Sequence, residues 1–309
     1  MVDTHPVSVK TVSRETGRLM RQASLASMAV AIALIAAKTA AWLLTDSVSM
    51  LTSLVDSSLD LVTSLITFFA IREALTPADE DHRFGHGKAE ALAGVAQAGF
   101  IAASACGVAL TVIDRFRHPQ PVRSEEIGIA VSALGVVLTL GLMAFQSHVV
   151  RKTRSLAVGA DKAHYLADFV TNIGVGVGLF LSGRFGEPMI DVAVASCLAV
   201  YLVVGAWGIG RTSVDVLMDR ELPEQDRRRI LEIVSSHPGV RNVHDMRTRS
   251  AGLTKFIQLH VVFQPNMSLG RAHVMGDSIE ADILEAYPQA EVILHIDPWN
   301  DNEPRVATD

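Results

Sequence analysis

Six long apolar runs constrain this chain more than any other feature of its sequence. They fill its first two thirds, and each has the length of about 20 residues that an α-helix needs to cross a bilayer. The apolar fraction of 49% and the mean hydropathy of +0.31 also favour membrane insertion. The predicted spans are Ala23–Leu44, Ser47–Ile71, Ala89–Val112, Ile127–Val150, Val158–Leu181 and Met189–Ile209.

The last third has the composition of a soluble domain. Residues 223–236 form an amphipathic pattern that starts at Pro223, and His237-Pro238-Gly239 ends it. Residues 240–249 and 256–263 alternate as strands do, with a hairpin turn predicted at 250–252. A helix over 269–286 and a strand over 291–296 follow, which predicts a small two-layer α+β domain.

The predicted division is an N-terminal tail (1–21), a six-span membrane domain (22–212), an α+β domain (213–300) and a disordered tail (301–309). Short loops on one side carry eleven Lys and Arg residues, and those on the other side carry four. The excess of positive charge marks the cytoplasmic side, so we expect both termini and the α+β domain there. The first span is too long for a signal-peptide core and should be retained.

The net charge and the cysteines argue against nucleic-acid binding and against a disulfide or a soft-metal site. The net charge of -6 gives no indication of nucleic-acid binding. Cys106 and Cys197 each lie inside an apolar run, far apart in sequence. We therefore interpret them as core thiols and expect neither a disulfide nor a soft-metal site.

Two pairs of ionisable residues lie inside the predicted spans. Asp56 and Asp60 are four residues apart in the second span, and His164 and Asp168 are four apart in the fifth. Each pair therefore shares one helical face. An acid in the middle of a membrane is costly and usually faces a polar path or an ion. The alternatives are satisfied acids in a soluble protein's buried helix, or His164 and Asp168 paired with each other or with Lys162.

Three carboxylates and one imidazole make a four-ligand tetrahedral shell if the two pairs close on one ion. Such a shell suits Zn²⁺, and Fe²⁺, Mn²⁺ and Cd²⁺ are its competitors. Because the set contains no thiolate, Cu(I) is disfavoured.

Three separated motifs resemble those of the cation diffusion facilitator family, specifically its bacterial zinc and iron efflux branch. They are LVDSSLD at 54–60, DHRFGHGKAE at 81–90 and AHYLAD at 163–168. The resemblance covers nearly the whole chain apart from the first dozen and last ten residues. It implies six transmembrane helices, a cytoplasmic metallochaperone-like α+β domain, and an intramembrane transport site formed by Asp56, Asp60, His164 and Asp168.

The resemblance implies a second metal site in the connector between spans two and three, formed by Asp79, His82 and His86. The residues themselves agree with this, since an acid is followed by histidines three and then four residues further on. Water can complete the shell of a metal bound in a polar loop. The alternative is a solvated loop whose histidines are incidental.

A third implied site is a binuclear zinc cluster in the α+β domain, in which Asp297 bridges two ions. His295 and Asp297 are two residues apart on a predicted strand, so they point to one face. Single histidines of this kind are more often surface or packing residues. The full implied set is His244, His260, His273, His295 and Asp297.

The resemblance also implies the assembly and the mechanism. It implies a homodimer in the bilayer of a bacterial inner membrane, with Lys88 paired to Asp219 near the membrane surface. Metal then enters from the cytoplasm and leaves by alternating access, with protons as the counter-substrate. Because carboxylates and His164 must be deprotonated to bind metal, exchange of metal for protons is chemically reasonable. Zn²⁺ is implied both as the transported ion and as a regulatory ion.

Two other classes of protein compete with a transporter. A membrane metalloenzyme would need an open metal position and a general base, typically in a His-Glu-x-x-His helix, and the sequence has no such motif. A membrane-anchored metal sensor would use the α+β cluster but would not require ionisable groups in the bilayer. Metal flux into proteoliposomes distinguishes these classes, and we predict a transporter.

Overall fold

The computed structural model describes residues 13–45, 48–117, 126–187 and 189–299. The chain divides into two compact units, of which one is Arg14–Val214 and the other is built mainly from Asp215 onward. The predicted tail 301–309, most of the tail 1–21, and most of the loop between spans three and four lie outside the described residues.

All six predicted spans are helices, which confirms the predicted fold of the membrane unit. Each helix is long and apolar enough to cross a membrane. The helices extend beyond the apolar runs, because polar residues at their ends continue the backbone hydrogen bonding. Their bounds are α1 Arg14–Thr45, α2 Val48–Ala74, α3 Ala89–Arg117, α4 Glu126–Thr153, α5 Leu156–Phe185 and α6 Met189–Leu217.

The helices pack so that α2 and α5 meet inside the unit. Helix α1 packs along α2 and α4, whereas α3 packs against α2 and α5. Large apolar side chains such as Leu44, Phe180 and Trp207 are exposed on the outside, as expected of a surface that faces lipid. The membrane unit thus presents large apolar side chains on its outer surface.

The interpretation of Cys106 and Cys197 as core thiols is wrong, because both side chains are exposed on the surface of the chain. The physical reason is that lipid is as apolar as a protein core. An apolar neighbourhood in a transmembrane sequence therefore does not indicate which face of the helix points inward.

The start of α5 is fixed by side chains from two elements. The hydroxyl of Ser155 caps the helix by accepting a hydrogen bond from the Val158 N–H at 3.3 Å. The buried carboxylate of Glu90, from α3, accepts a hydrogen bond from the Ala157 N–H at 3.1 Å and another from the Ser155 hydroxyl. This cap sets the position of the helix that carries His164 and Asp168.

The second unit is a three-stranded sheet with two helices on one face, which confirms the predicted α+β architecture. The strand order is β1-β2-β3, with β1 and β2 antiparallel and β2 and β3 parallel. Alternate residues of β2, including Ile257, Leu259 and Val261, form the core with apolar residues of both helices. The bounds are α7 Glu224–Ser235, β1 Val240–Ala251, β2 Thr254–Phe263, α8 Leu269–Ala286 and β3 Ala290–Pro298.

The hairpin between β1 and β2 is tighter than the sequence predicts. Pairing continues to Ala251 and Thr254, so the turn consists of Gly252 and Leu253 instead of residues 250–252. Gly252 has φ = 60°, a conformation that glycine adopts without steric cost. A two-residue turn of this kind matches the twist of the paired strands.

Candidate metal centres

The intramembrane site is built from α2 and α5. Nε2 of His164 lies 3.3 Å from Oδ1 of Asp60 and 3.3 Å from Oδ2 of Asp168. Donor atoms of these three residues all lie within 4.8 Å of one another. Two carboxylates and one imidazole at this separation can bind a borderline divalent cation.

The site combines a buried carboxylate oxygen with adjoining cavities. Oδ2 of Asp168 is buried, and its 3.3 Å contact with Nε2 of His164 is an ion-pair distance without hydrogen-bond geometry. Two adjoining cavities, of about 310 and 370 Å³, are both lined by Asp60 and Asp168. Since a water molecule occupies about 30 Å³, the cavities have room for an ion and several waters.

Asp56 differs from the other three predicted ligands of this site. It lines the larger cavity together with Asp60, His164 and Asp168. It does not belong to the group whose donor atoms lie within 4.8 Å of one another. The structure therefore brings three of the four predicted ligands together, and a role for Asp56 as the fourth stays a prediction.

A cage of polar side chains surrounds Asp161, one helical turn before His164 on α5. Asp161 is 1% exposed. Its Oδ2 accepts hydrogen bonds from Ser27 at 2.6 Å and from Gln146 at 2.7 Å. Its Oδ1 accepts hydrogen bonds from Gln97 at 3.2 Å and from Thr67 at 3.4 Å. These donors come from α1, α4, α3 and α2, so one carboxylate links five helices.

Sequence reasoning gave no role to Asp161 or to Lys38. Lys38 also lines both cavities of the intramembrane site. The available signal was that each is a charged residue inside a predicted span. Such residues in a membrane usually have a partner or a function.

The connector site brings Asp79, His82 and His86 together in the loop after α2. Their donor atoms lie within 4.8 Å of one another. Oδ1 of Asp79 lies 3.5 Å from Nδ1 of His82, and its Oδ2 lies 3.4 Å from Nε2 of His86. Glu73 at the end of α2 adds a carboxylate 3.5 Å from the same His86 nitrogen. Sequence reasoning missed Glu73 because its proximity to His86 depends on how the folded connector turns back toward the end of α2.

The loop itself prepares Asp79 for binding a cation. Its Oδ1 accepts hydrogen bonds from the backbone N–H of His82 at 2.6 Å and of Asp81 at 3.0 Å. The hydrogen bond from His82 is the main reason why the pKa of Asp79 lies below its ordinary value, since it favours the ionised form. The carboxylate is therefore charged at neutral pH.

The third site lies on the open face of the sheet in the second unit. His244, His260 and His295 occupy directly paired positions on β1, β2 and β3. Nδ1 of His260 lies 2.8 Å from Oδ2 of Asp297, and Nε2 of His295 lies 3.2 Å from Oδ1 of the same residue. Nε2 of His244 lies 3.8 Å from Oδ2 of Asp297. The two Asp297 oxygens thus face different histidines, an arrangement suited to bridging two ions.

Asp245 adds a carboxylate to this site that the sequence did not predict. It lies at an irregularity in the β1–β2 pairing that follows His244, and its φ is +45°. Its Oδ2 lies 3.8 Å from Nε2 of His260. A bulge turns a side chain away from the regular alternation, which is why strand periodicity did not place Asp245 here.

His273 is not brought into this group. It lies on α8, which packs on the opposite face of the sheet, and its side chain is 74% exposed. Its Nδ1 lies 3.7 Å from Oδ1 of Asp277. Within one chain the structure therefore collects four of the five predicted ligands, and the role of His273 stays a prediction.

The predicted Lys88–Asp219 pair involves residues of different units. Lys88 immediately precedes α3, and Asp219 follows α6. Oδ1 of Asp219 lies 3.3 Å from Nη1 of Arg249 within the second unit. Pairing with Lys88 stays a prediction.

Two family models match the chain, one over each of its two units. The model of the cation efflux transmembrane domain matches residues 24–218. The model of the cytoplasmic domain of cation efflux proteins matches residues 222–299. A solved structure, the zinc form of CzrB, is 27% identical over 28% of this chain and 99% of its own chain, with a TM-score of 0.25.

Whole-length relatives are similar over both units. The chain is 42% identical over 287 residues to the cation-efflux pump FieF of Klebsiella pneumoniae, covering 93% of this chain and 95% of the pump. It is 43% identical over 287 residues to FieF of Cronobacter sakazakii, with the same coverage. With matches to both domain models in order, and with relatives of this identity and coverage, the chain belongs to the cation efflux family of membrane transporters.

Proposed function

We propose that this protein exports a divalent metal cation, with Zn²⁺ as the first candidate and Fe²⁺, Mn²⁺ and Cd²⁺ as alternatives. The observation that carries the proposal is the convergence of Asp60, His164 and Asp168 inside helices that can cross a membrane. The FieF relatives are cation-efflux pumps, which supports it. An imidazole with carboxylates favours Zn²⁺ among these ions, and the absence of thiolates in this ligand set disfavours Cu(I).

Exchange for protons follows from the chemistry of the ligands. His164 and the carboxylates must lose their protons to bind metal, so binding releases protons and protons from outside displace the ion. The site also has two unlike sides. Toward the start of α5 it meets the packed cage around Asp161, and toward Asn172 it meets the two cavities. This asymmetry supports alternating access, in which the site opens to one side of the membrane at a time.

The other two sites act on this transport step. We assign residues 22–212 to transport and residues 213–300 to metal binding and dimerisation. The group around Asp297 regulates the transporter through Zn²⁺, with Asp297 as the bridge between two ions and His273 as a further ligand. The site at Asp79, His82 and His86 holds a metal ion beside the membrane surface.

The working assembly is a homodimer in the inner membrane of a bacterium, with both termini in the cytoplasm. The match of residues 222–299 to the cytoplasmic domain of cation efflux proteins supports the placement of that domain. A Lys88–Asp219 pair couples the membrane unit to the cytoplasmic unit.

Flux through proteoliposomes tests the proposal. The purified chain is reconstituted and presented with Zn²⁺, Fe²⁺, Mn²⁺ and Cd²⁺ under an imposed pH gradient, with Asp60→Ala as the control. We expect metal flux that depends on the gradient and is lost in the control. A folded wild-type protein that binds metal but moves none would instead be a membrane-anchored sensor, and the proposal would be wrong.

A further inference from the structure

A lysine inside the membrane unit faces the transport site. Lys38 lies on α1, and its ammonium donates hydrogen bonds to the Ser57 hydroxyl at 2.7 Å and to the Ser53 carbonyl at 3.0 Å. Both acceptors lie on α2, and Ser57 lies between Asp56 and Asp60 in sequence. Two uncharged oxygens therefore hold the cation beside the acids of the site.

The two cavities at the site give this lysine its electrostatic setting. Lys38 lines both of them, and so do Asp60 and Asp168, while Asp56 lines the larger one. Among the described residues that line these cavities, Lys38 is the one Lys or Arg. Three carboxyl groups thus share the space with one lysine side chain.

Net charge in a membrane is unfavourable, so the total charge of the loaded site matters. Three carboxylates carry three negative charges, and a divalent ion supplies only two positive charges. An ammonium supplies the third, so a site with neutral His164, a divalent ion and Lys38 is electrically neutral. Without Lys38 the same loaded site would carry one uncompensated negative charge.

We propose that Lys38 is the fixed counter-cation of the transport site and thereby sets how tightly the site holds a divalent ion. This inference rests on the function proposed above for the intramembrane site. The ammonium repels the bound ion, because two like charges in a medium of low dielectric interact strongly. Lys38 therefore limits metal affinity, and it makes the ion leave faster than three carboxylates alone would allow.

The direction of this effect separates it from a structural role. If Lys38 only joined α1 to α2, its loss would loosen the site, and metal would bind more weakly. A counter-cation acts in the opposite direction, since removing it strengthens the attraction between the acids and the ion. Tighter binding combined with slower transport is a result that loss of structure does not produce.

The test compares full-length Lys38→Gln, Lys38→Arg and wild type by Zn²⁺ binding and by Zn²⁺ flux, at a fixed, mildly alkaline pH where protons compete little. Lys38→Gln should lower the Kd of the site by about tenfold and reduce the maximal rate of flux. Lys38→Arg keeps the charge and should stay close to wild type. Lys152→Gln, the same change at an exposed lysine at the end of α4, is the matched control.

The outcome also distinguishes this inference from the function on which it depends. Loss of Zn²⁺ binding and flux in Asp60→Ala tests the transport site itself. If that control behaves as expected while Lys38→Gln leaves the Kd unchanged or raises it, the counter-cation role is wrong and the transport site stands. If Lys38→Gln does not fold, Lys38→Met, which retains most of the side-chain volume, is measured in its place with the same expectation.

Discussion

The carboxylate of Glu90 in α3 accepts a hydrogen bond of 3.1 Å from the backbone N–H of Ala157 in α5. The contact places a carboxylate at the N-terminus of a helix, where unpaired N–H groups and the helix dipole stabilise negative charge. Glu90 directly follows the connector that holds Asp79, His82 and His86, and α5 carries His164 and Asp168. One buried carboxylate thus joins the end of the connector to the helix of the transport site.

Replacing Glu90 by Ala should therefore destabilise the membrane unit. The change leaves buried N–H and hydroxyl donors unpaired, which lowers the free energy of unfolding by about 2 kcal/mol or more. Thermal unfolding in detergent should occur at a lower temperature, and Glu90→Gln, which keeps one acceptor oxygen, should lose less stability. The control is Glu80→Ala, an exposed acid in the connector, and equal stability of both Ala variants would contradict the capping role.

Replacing Asp161 by Ala should also destabilise this unit, because it removes the acceptor that four helices share through Ser27, Thr67, Gln97 and Gln146. Hydrogen bonds to a buried charged group contribute about 1.5–3 kcal/mol each, although these donors retain some other partners. Calorimetry or a thermal-shift assay measures the loss. Stability close to that of wild type would show that the cage does not hold the helices together.

Replacing Asp60 by Ala should abolish metal flux and leave the protein folded. The change removes a ligand and also a buried charge that is unfavourable in the metal-free state. Flux and thermal stability are measured on the same preparation, together with the dimer fraction. Flux near the wild-type rate in a folded protein would refute the assignment of the intramembrane site.

Replacing Asp56 by His tests whether Asp56 contacts the transported ion. The test is needed because Asp56 lies outside the group formed by Asp60, His164 and Asp168. A nitrogen ligand in place of an oxygen should disfavour Mn²⁺ and Fe²⁺ relative to Zn²⁺. The measurement is the ratio of flux rates for the three metals before and after the change. An unaltered ratio would place Asp56 outside the ligand shell.

Replacing both His295 and Asp297 by Ala should remove the stabilisation of the second unit by Zn²⁺. A ligand at 100 times its Kd stabilises the folded state by about 2.7 kcal/mol. Residues 220–299 should therefore unfold at a higher temperature with Zn²⁺, and the double variant should not. Gln258→Ala, on an exposed position of β2, should keep the gain.

In the full-length protein the same double change should alter the metal concentration needed for half-maximal flux, with some flux remaining. A folded dimer without any flux would mean that this cluster is required for transport and does more than regulate it.

The sequence predicts the six spans because length and apolar composition decide membrane insertion. It also predicts which residues share a helical face, because residues four apart lie on the same side of a helix. It does not determine how α2 is rotated and positioned against α5. For this reason Asp60 meets His164 while Asp56, on the same helical face, lies outside the group. The cage around Asp161 was missed for a related reason, since its donors come from four other helices.

In the second unit, strand alternation predicted the common face of His295 and Asp297, which the structure confirms as a contact of 3.2 Å. His273 entered the predicted set through the family resemblance, and its role stays a prediction because within one chain its side chain on α8 is exposed and lies outside this group. Strand alternation cannot predict a bulge, which brings Asp245 to His260.

The pairing of His244, His260 and His295 across three strands has a consequence for folding. Successive side chains of a strand point to opposite faces, so sliding β3 by one residue along β2 would move His295 to the face that the helices cover. The three imidazoles meet only in the native register. A metal ion that contacts them therefore binds the correctly paired sheet in preference to every slipped pairing. Binding of such an ion and correct alignment of the strands in this domain are therefore thermodynamically linked.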